Sequence, residues 1–338
     1  MILFPEVTPF DTGFHQTDDG HSLFWERCGK QGGVPIVFLH GGPGSGCTAA
    51  HRRYFDPQVF DVVLFDQRGC GRSRPLFSLE SNTTRSQIAD IESLRKSFGF
   101  ERWIVMGPSW GSTLALAYAQ AHPGSVAGLL IEGVFLASDA ELAWWHIKPG
   151  APNLFPDAYE AFIANDAIPE KGRALAFFQS ACDGMKSEIK GGMTTLRGLS
   201  DPATSLSELR QSLLYRWTEY EDRISWLNVS PEHIREGLAK RGVAFVASHS
   251  LIEAHYFANG CFLEPDQLIH DAHRLADIPM EIVQSRYDIV CPSGAAFRLS
   301  KACPHARLSI ITQNGHAMTE AVYPTLIAAM GRLAKNTA

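Results

Sequence analysis

The 338-residue sequence predicts an α/β fold, a mostly parallel central sheet flanked by helices, with a helical cap inserted between two of its strands. Two observations carry this. Short apolar runs bounded by turn residues alternate with helical stretches, and strand–helix–strand alternation builds a parallel sheet. The run ending near Glu132 and the next, beginning near Met280, stand about 145 residues apart, where a crossover needs only about a dozen.

The strands are expected at residues 23–28, 35–40, 62–66, 103–106, 128–132, 280–284 and 308–312. A helical pattern over 88–98 precedes the fourth of them. A second over 111–121 follows it, built from small and apolar residues such as Leu114, Ala115, Leu116, Ala117 and Tyr118 and stopped at His122-Pro123. The long insertion reads as helical and holds four of the seven tryptophans, Trp144, Trp145, Trp217 and Trp226. Pro149-Gly150-Ala151-Pro152 and Lys190-Gly191-Gly192-Met193 punctuate it as loops. Only residues 334–338 are expected to fray. The expected division is a core of residues 1–134 and 272–338 and a cap of residues 135–271.

Composition bounds the function. With 45% hydrophobic, 20% charged and 10% aromatic residues, the chain has the make-up of an ordinary globular protein. Thirty basic against 36 acidic residues give a formal charge of −6, so no global basic field exists to hold nucleic acid or an anionic membrane. A neutral or cationic ligand suits it better. The seven cysteines are odd in number, scattered and free of any Cys-x-x-Cys pair, which argues against a disulfide framework and a thiolate zinc site. Pro5 and Glu6 stand where a secretory leader needs an apolar run, and no apolar stretch approaches the ~20 residues of a membrane span. The expectation is a soluble, cytoplasmic protein.

Gly107-Pro108-Ser109-Trp110-Gly111 lies between a predicted strand and a predicted helix, the context in which Gly-x-Ser-x-Gly lifts a serine hydroxyl above the sheet's carboxyl edge. A serine is a poor nucleophile until a base takes its proton, so a carboxylate and a histidine must follow in that order. Asp288 follows the 280–284 run and His316 follows 308–312, both beside the serine; the remaining 12 of the 13 histidines lack that position. Asp277 and Glu281 are the rival carboxylates, but they precede or enter the strand and face its other end. His40-Gly41-Gly42-Pro43-Gly44 supplies side-chain-free backbone after the 35–40 strand. Its Gly42 N–H, with that of Trp110, would pair on an oxyanion. The rival reading, a phosphate loop, fails because the run lacks a Gly-Lys-Ser/Thr ending and the Gly-x-Gly-x-x-Gly spacing. Gly69-Cys70-Gly71 reads as a structural turn.

From about Phe14 to Ala329 the sequence resembles the proline iminopeptidase (prolyl aminopeptidase) family of α/β-hydrolases. The motifs are His40-Gly-Gly-Pro-Gly44, Asp66-Gln-Arg-Gly-Cys-Gly-Arg-Ser73, Ser109-Trp-Gly-Ser-Thr-Leu-Ala-Leu-Ala-Tyr118, Glu253-Ala-His-Tyr-Phe257 and Arg286-Tyr-Asp-Ile-Val-Cys-Pro292. The resemblance implies an α/β-hydrolase fold and a serine exopeptidase removing an amino-terminal proline, with Ser109, Asp288 and His316 as its triad. It also implies two cap glutamates that hold the substrate's amine, here Glu221 and Glu253, with Glu219 the rival for Glu221. Phe135, Trp145 and Cys291 fall at the walls of the proline pocket. The chain departs from the family at Pro108, Trp145 and Asp222-Arg223, and most of all at Glu132, which replaces a usual arginine. That exchange puts an anion near the amine pocket, with Arg223 as the residue available to balance it.

The expected activity is therefore metal-independent and cofactor-free release of an N-terminal proline from a small peptide through an acyl-enzyme. The residues leave open an amidase, esterase or lactonase acting on a small molecule with the same triad. A non-catalytic binding module fits poorly with an intact nucleophile, acid, base and glycine loop. Oligomeric state is not legible.

Overall fold

The computed structural model describes residues 3–164, 174–190 and 209–336. Its sheet has eight strands: β1 (Asp11–Gln16), β2 (Ser22–Gly29), β3 (Val34–Phe38), β4 (Phe60–Phe65), β5 (Trp103–Pro108), β6 (Val126–Glu132), β7 (Met280–Ser285) and β8 (Arg307–Ile311). They lie in the order β1-β2-β4-β3-β5-β6-β7-β8. β1 and β2 pair antiparallel, as do β2 and β4; from β4 through β8 every pairing is parallel. The seven expected strands are β2 to β8. β1 escapes the sequence reading because its residues, Asp-Thr-Gly-Phe-His-Gln, form an edge that buries no side chain. Backbone pairing with β2 and an edge-to-face contact of Phe14 with Phe24 hold it.

The central parallel strands β3, β4, β5 and β6 are largely apolar on both faces because both are covered. Ile36, Phe38, Val62, Leu64, Ile104 and Met106 pack on one side with the helix Tyr323–Asn336, while Val37, Leu39, Val63, Phe65, Val105 and Ile131 pack on the other. α1 (Thr84–Ser97) starts earlier than its apolar pattern because the Thr83 side chain caps it, accepting from the Ser86 N–H. α2 (Trp110–Ala121) is buried from Trp110 through Gln120, which its run of small residues permits.

The segment between β6 and β7 is helical, as expected. It contains α3 (Asp139–His146), α4 (Ala151–Leu154), α5 (Pro156–Ile163), α6 (Ala174–Lys190), α7 (Leu213–Ser225) and α8 (Pro231–Ala258), followed by the short α9 (Gln267–His270). Ala151-Pro152 opens α4 instead of continuing a loop, since proline is tolerated in a first helical turn. Lys190 closes α6, and the Gly191-Gly192-Met193 part of the other expected loop lies outside the described residues. α10 (Ser293–Ala302) and α11 (Tyr323–Asn336) complete the chain. The fraying expected from residue 334 is corrected: α11 runs on through Asn336 because Leu326, Met330, Leu333 and Ala334 are buried against the sheet, while 337–338 lie outside the described residues. No described helix is long and apolar enough to cross a membrane.

β5 turns into α2 through one residue, Ser109, at φ 55° and ψ −126°. Such a turn leaves no room beside it. A Cβ on Gly107 would lie 2.0 Å from the Gly111 carbonyl oxygen, and one on Gly111 would lie 2.0 Å from that of Leu39 on the neighbouring strand's exit. Both clashes are with backbone, which cannot swing aside. Gly111→Ala is therefore expected to lower unfolding free energy by about 3 kcal/mol or more, read as an earlier urea midpoint; a midpoint within error of the parent would show that the strand exit can shift.

Candidate active site

Ser109, Asp288 and His316 meet at the carboxyl end of the parallel strands, each just past the strand that precedes it. His316 Nε2 lies 3.0 Å from Ser109 Oγ and its Nδ1 lies 2.9 Å from Asp288 Oδ2. In the neutral ring, Nδ1–H then donates to the carboxylate, and Nε2 is left to accept from the serine. Asp288 is buried; its Oδ1 accepts from the Cys291 N–H at 2.6 Å, and Gln284 Nε2 reaches its Oδ2 at 3.4 Å. Burial disfavours the imidazolium, but the adjoining Asp288 carboxylate outweighs it and holds the His316 pKa well above the ordinary value. The rival Glu281 is engaged elsewhere, both oxygens accepting from Arg332 on α11 at 2.7 and 2.8 Å.

The loop after β3 packs directly on this turn. A Cβ on Gly41 would sit 3.4 Å from Ser109 Cβ and 3.9 Å from its Oγ. Gln67 fastens the loop to α2: it accepts from Trp110 Nε1 at 2.9 Å and donates to the His40 carbonyl at 2.9 Å. Its own N–H donates to His40 Nε2 at 3.0 Å, and burial lowers the pKa of that ring, keeping it a neutral acceptor. The Gly69-Cys70-Gly71 turn wraps Asp66, whose carboxylate accepts from the Cys47 and Arg72 N–H groups at 2.7 and 2.8 Å.

A cleft of about 570 Å³ opens over Ser109, and its lining includes Gly42, Glu132, Glu221, His249 and His316. Trp110, Glu253, Phe135, Trp145 and Cys291 are buried and do not line it. Phe135 and Trp145 stack at 5.8 Å between ring centroids, and Phe257 meets both edge-on. The Trp145 ring N–H donates to the Val290 carbonyl, next to Cys291, whose thiol burial pushes up to about 12.

Glu221 on α7 and Glu253 on α8 come together. Glu253 Oε2 accepts from Trp217 Nε1 at 2.5 Å, while its Oε1, also buried, has no hydrogen-bond partner among the described residues. Burial and the nearby Glu221 charge push the Glu253 pKa well up. Glu221 is desolvated as well, yet His249 draws its pKa below the usual value. Glu219 does not line the cleft; it lies 3.9 Å from Arg235.

His249 is the residue the sequence reading missed. Its Nε2 is 2.6 Å from Glu221 Oε2 and 3.8 Å from Glu253 Oε2, and its Nδ1 is 3.2 Å from Ser45 Oγ in the loop after β3. The available signal was its position one helical turn before Glu253, on the same helix face. Glu132 and Arg223 require corrections. Burial raises the Glu132 pKa to about 8, so at neutral pH it is mostly an uncharged acid and not an anion; its Oε1 is buried without a hydrogen-bond partner among the described residues. Arg223 does not balance the amine pocket, because it is paired with Asp157 at 2.6 Å. Two sets, Asp288-Cys291-His316 and Glu221-His249-Glu253, bring potential metal-ligating atoms within 4.8 Å of one another. In both, the histidine is already hydrogen-bonded to a carboxylate of its own set.

Residues 34–320 match a family model described as the alpha/beta hydrolase fold. Among solved structures the chain resembles an esterase from Exiguobacterium antarcticum, with a TM-score of 0.62 at 16% identity over 96% of this chain and all of that one. An enol-lactonase from Burkholderia xenovorans gives 0.60 at 14% identity over 94% and 99%. These likenesses show the fold alone. At the sequence level the chain is 44% identical to a proline iminopeptidase of Xylella fastidiosa over 94% of each chain. It is 38% identical to a proline iminopeptidase of Arabidopsis thaliana over 94% of this chain and 78% of that one. Identity at that level across nearly the whole length, insertion included, leaves one conclusion: the chain belongs to the proline iminopeptidase family of α/β hydrolases.

Proposed function

We propose that this protein is a serine exopeptidase that releases an N-terminal proline from small peptides, with residues 135–271 as a substrate-recognition cap on a core of residues 1–134 and 272–338. The observation that carries the reading is a pair of carboxylates beside the cleft that holds Ser109, Glu221 lining it and Glu253 buried next to it. A secondary ammonium has two N–H donors, and two carboxylates can each accept one charge-assisted bond. An internal peptide bond offers no such cation. The relatives carry the proline iminopeptidase name over nearly the whole chain, which supports the same substrate class. Seven free cysteines suit a reducing compartment, and the cytoplasm is the proposed location.

In this mechanism His316 takes the Ser109 proton as Oγ attacks the prolyl carbonyl, and Asp288 orients and stabilises the resulting imidazolium. The Gly42 and Trp110 amides stabilise the tetrahedral oxyanion. His316 then protonates the departing amine, and water, activated by the same ring, hydrolyses the prolyl ester. Phe135 and Trp145, with Cys291, remain the proposed walls for the uncharged ring, although they are buried and outside the lining of the open cleft.

Initial rates on prolyl-, alanyl- and N-acetylprolyl-arylamides beside an aryl acetate test this. The prolyl compound is expected to be strongly preferred and its acetylated form inert; cleavage of the acetate alone would overturn the exopeptidase reading. Ser109→Ala should lose about 10⁴-fold or more of the rate, and retention within a few fold would remove Ser109 from the mechanism. Glu221→Gln and Glu253→Gln should each lower kcat/KM for the prolyl arylamide by about 10-fold or more while leaving the aryl acetate within about threefold. Because His316 must be neutral to act as base, the rate on the acetate should rise with pH through a pKa above the usual ~6.5. Asp288→Asn should shift that limb to lower pH and cost about 10⁴-fold in kcat.

A further inference from the structure

We propose that Glu132 reads the residue after the scissile bond, and that the lobe of the cleft on the α11 side of the sheet selects peptides with a basic residue following the proline. This rests on the exopeptidase reading above and adds to it a specificity residue and a substrate class for the leaving side.

Glu132 ends β6, and side chains alternate between faces along a strand. Leu129 and Ile131 pack on the α2 face and Leu130 on the α11 face, so the Glu132 side chain falls on the α11 face. There it lines the cleft together with Phe38, His51, Tyr54 and Met318. Its carbonyl accepts from the Ser109 N–H at 2.9 Å, which ties its backbone to the turn of the nucleophile. The residue is 1% exposed, and its Oε1 has no hydrogen-bond partner among the described residues. An acid left unpaired among aromatic rings is costly to keep, and the mechanism above makes no use of it.

The amine and ring end lies the other way. Phe135, Trp145 and Phe257 belong to the cluster on the α2 face, while Glu221 and Glu253 come from α7 and α8. The cleft's own cations, Lys240 and Arg241, also stand on α8. A peptide that points its proline toward the cap and holds its carbonyl at Ser109 leads its leaving residue toward the remaining lobe. His316 stands at that junction: its Cε1 lies 3.4 Å from where a Cβ would stand on Gly133, the residue after Glu132. The lobe offers apolar walls and an acid. Lysine and arginine match it, with methylenes against Phe38, Tyr54 and Met318 and the cationic head at the carboxyl.

The titratable groups that face Glu132 are Tyr54 from the short helix Ala49–Tyr54, Tyr323 from α11, and His316 and Asp288 from the loops after β8 and β7. Burial lowers the His51 pKa to about 4 and keeps that ring uncharged. None of these is a lysine or arginine, so the place of a permanent cation is open to the substrate. Glu132, with its pKa raised to about 8, is mostly an uncharged acid below that pH and an anion above it. Preference for a basic residue therefore grows as pH rises through about 8.

The test compares kcat/KM for L-prolyl-L-lysinamide, its norleucine counterpart and its glutamate counterpart, at pH about 6.5 and about 9, in the parent, Glu132→Gln and Glu132→Leu. Ratios are taken within one protein, so folded fraction and the ionisation shared by the prolyl amines cancel. In the parent at the higher pH, lysine should exceed norleucine by about tenfold or more, with glutamate below norleucine. The lysine preference should shrink by about threefold or more at the lower pH. Both variants should bring the lysine-to-norleucine ratio at the higher pH close to one. A ratio near one in the parent at both pH values overturns the proposal without any variant, and so does a parental ratio retained in a folded Glu132 variant. Failure of the parent to cleave any of the three overturns the exopeptidase reading and this proposal with it; cleavage of all three at equal rates overturns this proposal alone.

Discussion

The backbone at Ser109 is the constraint on which the rest of the site depends. One residue in a left-handed conformation joins a buried strand to a buried helix, and contacts leave it no freedom: Gly107 against Gly111, and Gly111 against the exit of β3. A non-glycine residue at positive φ is costly and persists only where its surroundings over-determine it. Here they do so with backbone on both sides. The same close approach that forbids a Cβ at Gly111 brings the loop after β3 against the serine, so the turn and the glycine loop are two halves of one packing solution. Gln67 then locks them through Trp110 and His40.

Around this fixed point the protein manages four acidic side chains in different ways. Asp288 stays hydrogen-bonded to His316 and to backbone, which makes it an orienting group. Glu132, with burial dominating its surroundings, holds its proton to about 8 and adds no charge at neutral pH. Glu221 and Glu253 split: despite desolvation His249 draws the first pKa down, while burial and the neighbouring Glu221 push the second well up. Low dielectric explains the three glutamates: a desolvated carboxylate ionises readily only where a cation or enough donors face it. The α8 helix is central to this, because it carries His249 and Glu253 on one face and packs through Ser248 onto Gly44 of the glycine loop. The proposed amine site and the proposed oxyanion loop thus share one helix.

The parallel strands were legible because each is an apolar run bounded by turns, and β2 to β8 lie where the pattern predicts them. β1 was not, since an edge strand that buries no side chain leaves no hydrophobic signature. The start of α1 was misread because a capping threonine, not the apolar period, sets it, and the last turns of α11 were misread because their burial comes from the sheet. Motif spacing was enough to nominate Ser109, Asp288, His316, Gly42 and Trp110. Resemblance, not spacing, nominated Glu221 and Glu253.

Local rules therefore determined what is local: strand and helix identity, the glycine-flanked turn, the order of nucleophile, acid and base, and the −6 net charge. Charge state and pairing were decided only by the tertiary structure. Glu132 and Arg223 looked like an anion and its balancing cation in sequence; folding buries the first into neutrality and ties the second to Asp157. His249 looked like any other histidine until α8 packed against α7 and the glycine loop, between Glu221 and Ser45. The physical reason is one of range: propensity and pattern act over a few residues, whereas desolvation and ion pairing depend on which distant residues share a buried volume.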